Sequence, residues 1–397
     1  MGKIGVYGGS FNPIHLGHIH AAREMADRLC LDQVFMIPAA QPPHKTLPAY
    51  SPTGGQRLEM VRLAVQGDPR LKECDLELQR EGKSYTVQTL HQLKELYPDD
   101  ELYLLMGTDM FMGLDHWYQS DEICRLARIV CISREEKDKK ADLEKKAAYL
   151  RNNLKADVSI LPSKPVEMNS TTIRRMIFFG CADDYLAEDV YSYIRQNHLY
   201  GADLDWTGLS FERLSARSLD LHKQERVAHV IGVSETAAKL AERYGARIDH
   251  AMRAGILHDV TKALDGPEQL CLCRHFGIQL TPFEATHPKL LHSKTGAAVA
   301  ERIFGEQPET CEAIFWHTTG CADMTLLDKI LYIADYAEPN RCFDGVEYIR
   351  EVLYQDLDLA LFRGFGMSLE ELEREGKPLD RHSIEAYDFI KKERGFA

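Results

Sequence analysis

The stretch Ile4-Gly5-Val6-Tyr7-Gly8-Gly9-Ser10-Phe11-Asn12-Pro13-Ile14-His15-Leu16-Gly17-His18 decides the fold of the first half of the chain. Its apolar run at residues 4–7 is typical of a buried parallel strand. Gly8 and Gly9 then allow the backbone to turn tightly and to approach a ligand closely. Residues 15–29 predict a helix, because their apolar side chains recur along one face. A strand, a turn and a helix in this order indicate the start of an α/β domain.

His15 and His18 are three residues apart, so they share a face at the predicted N-terminus of this helix. Backbone amides and the positive end of the helix dipole favour anions there, and two imidazoles add hydrogen bonds. The stretch has neither the Gly-Lys-Ser/Thr of a Walker loop nor the GxGxxG of a dinucleotide fold. It predicts a phosphate-binding site. The alternative is a glycine turn beside two ordinary surface histidines.

The segment His15-Leu16-Gly17-His18 resembles the HxGH signature of nucleotidyltransferases. The resemblance implies that both histidines bind the triphosphate of ATP and stabilise charge on its α-phosphate during adenylyl transfer. It also implies ATP contacts in the preceding loop, at Gly8, Gly9, Ser10 and Phe11.

The composition is that of a soluble globular protein of 397 residues, with 44% hydrophobic and 27% charged residues, and this length favours two domains. The net charge is −13 and Lys and Arg are not clustered, so we expect no nucleic-acid partner. No apolar run reaches the roughly 18 residues of a membrane span, so we expect neither a membrane segment nor a signal peptide. The ten cysteines are scattered, which favours free thiols in the cytoplasm.

Short apolar runs alternate with helical patterns through the first half of the chain. Strands are predicted at residues 4–7, 33–38, 74–78, 101–106, 129–133 and 158–161, with helices between them, for example at residues 56–66. This alternation predicts a parallel, doubly wound, Rossmann-like α/β sheet. In such sheets ligands bind beyond the carboxyl ends of the strands. Lys45 follows the second strand and is therefore a candidate phosphate contact, or else a solvated loop lysine.

A second helix N-terminus is predicted at Asn169, Ser170 and Thr171, which are all good N-cap residues. Arg174 follows within one turn, where its planar guanidinium can grip a phosphate. Together with the HxGH segment, this pattern resembles the second, SxTxxR-like signature of the same nucleotidyltransferases. The resemblance implies that Ser170, Thr171 and Arg174 contact ATP. Asn169 stands where relatives often have Ser.

Further segments resemble the bacterial nicotinate-nucleotide adenylyltransferase family over residues 1–200. They are residues 8–13, Pro42-Pro43-His44-Lys45, Ser84-Tyr85-Thr86, Gly107-Thr108-Asp109 and Trp117. The resemblance implies transfer of AMP from ATP to nicotinate mononucleotide, which gives deamido-NAD and pyrophosphate.

The same resemblance assigns roles within this reaction. The mononucleotide would be held by Lys45, Thr86, Asp109, Trp117 and Tyr118. Trp117 would stack on the pyridine ring, although it could equally be a core aromatic. Charge on the phosphates would be neutralised by His15, His18, Lys45, Arg174 and the Mg²⁺ that accompanies ATP, and no general base is required.

The second half of the chain has a different composition. Residues 201–210 are polar and contain glycine, so we place a linker there, between a transferase domain at residues 1–200 and a second domain at residues 211–397. Helical periodicity predicts that the second domain is all-α. Its histidines and aspartates fall at helix ends or on inward faces: His229, His258, Asp259, His292, His317 and Asp335. Because a buried carboxylate is costly unless it is paired or binds a metal, this set predicts a metal cluster.

The set resembles the HD superfamily of metal-dependent phosphohydrolases. Segments 226–233, 257–262, 317–320 and 334–339 resemble its YqeK-type branch, which cleaves diadenosine tetraphosphate symmetrically to two ADP. The resemblance implies that one divalent metal is held by His229, His258, Asp259 and Asp335, and that Asp259 bridges to a second metal on His292 and His317. The resemblance favours iron for both metals, although these ligands also suit manganese or other divalent metals, and the sequence does not choose between them. Lys262 would place a fixed positive charge near the polyphosphate, with Arg341 as a weaker candidate.

The sequence thus predicts a bifunctional cytoplasmic enzyme that acts on small nucleotides and has no membrane partner. A nucleotidase or a non-catalytic nucleotide-sensing module remain alternatives for the second domain. The oligomeric state, including a homo-oligomer, is left open.

Overall fold

The structure, a computed structural model, describes residues 2–43, 46–48, 50–134, 140–163 and 168–396. Lys45, a predicted phosphate contact, therefore lies outside the described residues. The chain divides into two compact units, Met1–Asp203 and Leu204–Ala397. The linker at residues 201–210 stays a prediction. No described helix is long and apolar enough to cross a membrane.

The first unit contains a parallel sheet of six described strands. They are β1 Lys3–Gly9, β2 Gln33–Pro38, β3 Leu71–Glu73, β4 Glu101–Gly107, β5 Arg128–Arg134 and β6 Val158–Ser163. Their order in the sheet is β3-β2-β1-β4-β5-β6, and every neighbouring pair is parallel. The described helices are α1 Leu16–Leu29, α2 Gly54–Val65, α3 Thr86–Leu96, α4 Thr108–Met112, α5 Ser120–Leu126, α6 Lys140–Leu154, α7 Ser170–Phe178 and α8 Glu188–Gln196. The predicted doubly wound, Rossmann-like fold is confirmed.

The middle of the sheet fixes where a ligand binds. β1 and β4 lie side by side and are buried through apolar residues such as Ile4 and Leu104. The strand order reverses between these two strands, and ligands of doubly wound sheets bind in the crevice beyond the carboxyl ends at that point. The loop that follows Gly9 and the start of α4, directly after Gly107, border this crevice.

The predicted turn at Gly8 and Gly9 is wrong. β1 continues through both glycines, which pair in register with Ile37 and Pro38 of β2, because their backbone is extended. The chain turns only after the strand, where Phe11 has a φ of 40°.

The strand predicted at residues 74–78 is also wrong. β3 is shorter and ends at Glu73. The backbone carbonyl of Asp75 then accepts hydrogen bonds from the N–H groups of Leu78, at 2.7 Å, and Gln79, at 3.1 Å. These local bonds close a turn, so the apolar residues of this segment are not part of the sheet.

The regular secondary structure described in the second unit consists of helices. Its helices are α9 Phe211–Leu221, α10 Val227–Tyr244, α11 Ile248–Leu257, α12 Gly266–Phe276, α13 Pro282–Thr286, α14 Leu291–Arg302, α15 Pro308–Trp316, α16 Leu326–Ala337, α17 Val346–Val352, α18 Leu357–Arg374 and α19 Arg381–Arg394. α10, α11, α15 and α16 pack against one another, and α14 packs on α15. This confirms the all-α prediction.

Candidate active sites

The N-terminus of α1 presents two histidines beyond the carboxyl end of β1. His15 is the N-cap of α1 and is 7% exposed, and its ring stacks on that of His18 with the centroids 3.6 Å apart. The backbone N–H of His15 donates to Nδ1 of His18 at 3.3 Å. Because Nδ1 of His18 accepts this bond, the ring proton of His18 lies on Nε2, where it can be donated to a phosphate oxygen. Burial lowers the pKa of His15 to about 4, so this ring is neutral at pH 7.

The glycines at the end of β1 differ in their surroundings. A Cβ atom built at Gly8 would meet no atom within 4 Å, so Gly8 borders open space. A Cβ atom at Gly9 would lie 3.2 Å from the ring of Phe11. Phe11 is 1% exposed and contacts His18 edge to face, with the ring centroids 5.2 Å apart. Phe11 thus supports His18 from the core.

Arg174 joins the second signature to the loop that follows β1. Its Nη1 donates to the backbone carbonyl of Asn12 at 2.8 Å, and its Nη2 donates to the hydroxyl of Thr171 at 3.1 Å. The hydroxyl of Ser170 donates to the carbonyl of Pro13 at 3.4 Å. The start of α7 and the loop that leads into α1 therefore meet at one place.

Apart from Lys45, the predicted mononucleotide residues lie on α4 after β4, at the start of α3 and just before α5. Asp109 is exposed on α4, and Thr86 is the first residue of α3. Trp117 is partly buried against the core of the sheet. Tyr118 is 55% exposed, and its ring lies 4.9 Å from that of Tyr85. This ring contact connects the two loops that the resemblance assigns to the pyridine nucleotide.

In the second unit, five helices bring together all six predicted metal ligands. The ligand atoms of His229, His258 and Asp335 lie within 4.8 Å of one another. The ligand atoms of His258, Asp259 and His317 form a second group, and they also lie within 4.8 Å of one another. The remaining member, His292, has its Nε2 atom 3.2 Å from that of His317.

Asp259 lies at the centre of this cluster and is 1% exposed. Its Oδ2 atom lies 3.5 Å from Nε2 of His258 and 3.9 Å from Nε2 of His229. Its Oδ1 atom lies 3.3 Å from Nε2 of His292 and 3.7 Å from Nε2 of His317. Each carboxylate oxygen thus faces a different half of the cluster, as a carboxylate that bridges two cations does.

Several buried atoms of the candidate ligands have no hydrogen-bond partner among the described residues. They are Nε2 of His229, Nε2 of His258 and Oδ1 of Asp259. Buried polar atoms without hydrogen bonds destabilise a fold, whereas divalent cations bound in the two halves of the cluster would satisfy all three. The donor set, which consists of imidazole nitrogens and carboxylate oxygens, fits such a cation.

The charge states of the cluster also suit metal binding. Burial, with the positive charge of Lys262, lowers the pKa of His292 to about 4, and burial lowers the pKa of His317. Both rings are therefore neutral, which is the form that binds metals. Burial alone would lower the pKa of His258, but the negative charge of Asp259 outweighs burial, so the pKa of His258 is raised.

Three cations contact the two aspartates. Lys262 has its Nζ atom 3.7 Å from Oδ1 of Asp259 and 2.8 Å from Nε2 of His292. Arg341 donates to Oδ1 of Asp335 at 2.5 Å. Arg226, which the sequence reasoning missed, contacts Oδ2 of Asp259. A ring of cations around a metal site is suited to a polyphosphate.

Comparisons with known proteins match a different family model to each half of the chain. A cytidylyltransferase-like family model matches residues 6–177, and the HD domain model matches residues 226–340. Probable nicotinate-nucleotide adenylyltransferases of Carboxydothermus hydrogenoformans and Dehalococcoides mccartyi (strain 195) are each 37% identical to this chain, over 199 and 203 residues. These matches cover 50% of this chain and 98% and 97% of the two relatives. The chain belongs to the nicotinate-nucleotide adenylyltransferase family.

The second half of the chain adds an HD domain to this family's fold. Among solved structures, one similar protein comes from Clostridium acetobutylicum and is described as a predicted HD superfamily hydrolase involved in NAD metabolism. It is 32% identical to this chain, and the match covers 47% of this chain and 98% of that chain with a TM-score of 0.45.

A second solved structure is nicotinic acid mononucleotide adenylyltransferase of Plasmodium falciparum, complexed with NaAD. It is 17% identical to this chain, and the match covers 50% of this chain and 98% of that chain with a TM-score of 0.42.

The adenylyltransferase unit contains a buried arginine that the sequence reasoning missed. Arg57 on α2 is 1% exposed, and its Nη1 donates to the carbonyl of Ser10 at 2.7 Å. Its Nη2 reaches the carbonyl of Ala40 at 3.5 Å. Arg57 thereby holds the loops after β1 and β2 together. The sequence feature that could have indicated a buried Arg57 is its place on the same helix face as the apolar residues Met60, Val61 and Ala64.

The far end of the adenylyltransferase unit stabilises the same loop. The hydroxyl of Tyr200, a residue that is 4% exposed, donates to Oδ1 of Asn12 at 2.8 Å. The amide of Asn12 donates in turn to the hydroxyl of Ser51 at 2.8 Å. Since Arg174 binds the carbonyl of Asn12, the last residues of this unit position the loop between β1 and α1.

Removing the Tyr200 hydroxyl should weaken this arrangement. Tyr200→Phe leaves the buried Oδ1 of Asn12 without its donor, which should lower the free energy of unfolding by about 1–3 kcal/mol and reduce adenylyl transfer. Denaturant unfolding and steady-state kinetics check both effects. Tyr193→Phe, in which the ring is partly exposed on α8, is the matched control. Equal stability and activity of Tyr200→Phe and the wild type would contradict this role.

Proposed function

We propose that the adenylyltransferase unit transfers AMP from ATP to nicotinate mononucleotide, releasing pyrophosphate. One observation supports this above the others: the Arg174–Asn12 contact brings the helix that starts at Ser170 to the two histidines of α1, at the switch point of the sheet. Family relatives named for this activity match nearly their whole length to this unit.

The reaction needs charge neutralisation more than proton transfer. A phosphate oxygen of the mononucleotide attacks the α-phosphorus of ATP in line, and the bond to the β-phosphate oxygen breaks. The attacking oxygen is already anionic at pH 7, so no base is required. Nε2–H of His18 and the guanidinium of Arg174 donate to the phosphate oxygens, and Mg²⁺ enters with ATP. The neutral ring of His15 stacks on His18 and keeps it oriented.

The unit should prefer the acid substrate to the amide. The resemblance implies donors from the loops at Thr86 and Tyr118 to the pyridine carboxylate, and an amide cannot accept the same set of hydrogen bonds. We expect kcat/KM for nicotinate mononucleotide to exceed that for nicotinamide mononucleotide by roughly 100-fold or more, since unpaired donors discriminate strongly. Equal specificity constants would contradict this pocket while leaving adenylyl transfer intact.

We further propose that the HD unit hydrolyses diadenosine tetraphosphate symmetrically to two ADP. The observation that supports a metal-dependent reaction is the set of unpartnered ligand atoms around Asp259. One divalent ion would be held by His229, His258, Asp259 and Asp335, and the second by Asp259, His292 and His317, with iron as the first candidate. When bound, such ions supply Lewis-acid activation of a water molecule and neutralise the phosphate under attack.

The chain's own cations prepare the HD unit for a long polyphosphate. Lys262 and Arg226 lie on the Asp259 side of the cluster, and Arg341 lies on the Asp335 side. Placed around the ligands in this way, they can bind phosphates that flank the one being hydrolysed. A substrate with four phosphates uses all three cations, whereas a nucleoside monophosphate does not.

A nucleotide panel on the intact protein, with metal analysis of the same sample, tests this proposal. We expect diadenosine tetraphosphate to be the best substrate and ADP to be its sole nucleotide product. Formation of ATP and AMP would contradict symmetrical cleavage. Faster hydrolysis of nucleoside monophosphates would assign a nucleotidase, and binding without turnover would assign a sensor.

A further inference from the structure

His229 differs from the other histidines of the cluster in what holds its Nδ1 atom. Nδ1 of His258, His292 and His317 lies in each case 2.7 Å from the backbone carbonyl oxygen three residues earlier in the chain. Nδ1 of His229 lies instead 3.0 Å from Oε1 of Glu338, a residue 109 positions away. A distant carboxylate here replaces the local carbonyl.

Glu338 is fully buried, and both of its oxygens are engaged. Its exposure is 0%, and Oε2 accepts from the backbone N–H and the side-chain amide of Asn340, each at 2.8 Å. The same amide of Asn340 donates to the carbonyl of Ala228 at 3.1 Å. Asn340 therefore connects Glu338 to α10, the helix that carries His229. These contacts hold the carboxylate of Glu338 in one orientation.

Gly232 provides the room for this carboxylate. It lies three residues after His229 on the same face of α10. A Cβ atom at this position would lie 2.2 Å from Oε2 of Glu338 and 3.1 Å from the amide nitrogen of Asn340. Glycine in a helix interior costs about 1 kcal/mol relative to alanine, so a glycine here indicates that the space is needed.

We propose that Glu338 is a positioning residue that keeps the proton of His229 on Nδ1 and so directs the lone pair of Nε2 at a metal ion. A carboxylate only accepts, which fixes this tautomer. Nε2 then faces Oδ1 of Asp335 at 3.1 Å, an arrangement of two acceptors that a cation between them stabilises. The carboxylate also makes the imidazole a stronger ligand. This inference rests on the proposed metal centre.

The test measures Mn²⁺ affinity of the intact protein by calorimetry. Glu338→Gln has the same shape but cannot accept from both His229 and Asn340, and we expect Mn²⁺ to bind about 10–100-fold more weakly. Glu347→Gln, which changes an acid whose side chain is 77% exposed, should bind Mn²⁺ as the wild type does. Histidine ¹⁵N spectra of the metal-free proteins should show the Nδ1–H tautomer of His229 in the wild type and a shift towards Nε2–H in Glu338→Gln.

A second variant leaves Glu338 itself unchanged. Gly232→Ala should displace the carboxylate and weaken Mn²⁺ binding, although alanine favours the helix. Gly366→Ala is its control, because a Cβ atom there would lie an ordinary 3.5 Å from the ring of Tyr387. Unchanged Mn²⁺ affinity in both Glu338→Gln and Gly232→Ala would overturn the role of Glu338. A wild type that binds no Mn²⁺ would instead overturn the metal centre itself.

Discussion

Replacing Asp259 by alanine should remove bound metal from both halves of the cluster and reduce hydrolysis of diadenosine tetraphosphate to background. Asp259 contacts both halves of the cluster, because its Oδ2 atom lies 3.5 Å from Nε2 of His258 and its Oδ1 atom lies 3.3 Å from Nε2 of His292. Its loss leaves the positive charge of Arg226 and Lys262 beside the vacated position, which further repels a divalent cation. Metal content per chain and the rate of ADP release are the two measurements.

Two further variants make the Asp259 result interpretable. Asp259→Asn keeps the shape of the side chain but loses its charge, so it separates metal loss from a packing defect. Asp388→Ala changes an exposed acid on α19 and should keep both metal and activity. An Asp259→Ala protein that retained its metals or its hydrolysis would contradict the bridging role.

The His18→Ala variant should lose adenylyl transfer by a factor on the order of 10² or more. Preorganised donors that meet developing charge contribute on this scale. The orientation of His18 is fixed by stacking on the buried His15 ring and by the hydrogen bond from the His15 backbone N–H to Nδ1 of His18. A water molecule in its place would not be held in this orientation. The loss should appear in kcat, while binding of nicotinate mononucleotide changes little.

His20 provides the matched control for His18. It lies on the same helix, and its side chain is 49% exposed and 3.8 Å from Glu24. His20→Ala should therefore leave turnover unchanged. A His18→Ala enzyme with near-normal turnover would remove His18 from the mechanism and leave Arg174 and Mg²⁺ as the charge-neutralising groups.

Local sequence patterns predicted most of the secondary structure. The helices that begin at Leu16 and Thr86 follow from apolar spacing, and the helix that begins at Ser170 follows from its capping residue Asn169; both signals act over a few positions. Apolar spacing also predicted the inward face of α10, on which His229 lies with Val233. These signals are strong because each element is long enough to repeat its own period.

Predictions failed where the deciding interaction was short or came from far along the chain. The three residues of β3 are too few to show a period. The roles of Tyr200 and Glu338 depend on partners 188 and 109 residues away, so no local pattern signals them. Arg57 was missed because a charged residue on an apolar helix face is usually solvated, whereas two backbone carbonyls bind it here.

We expect this one chain to carry two chemically separate active sites. The most direct test of this expectation assays adenylyl transfer and diadenosine tetraphosphate hydrolysis in parallel on the intact wild type, His18→Ala and Asp259→Ala. We expect the wild type to perform both reactions, His18→Ala to lose only the transfer and Asp259→Ala to lose only the hydrolysis. A folded Asp259→Ala protein that also lost adenylyl transfer would contradict two separate sites.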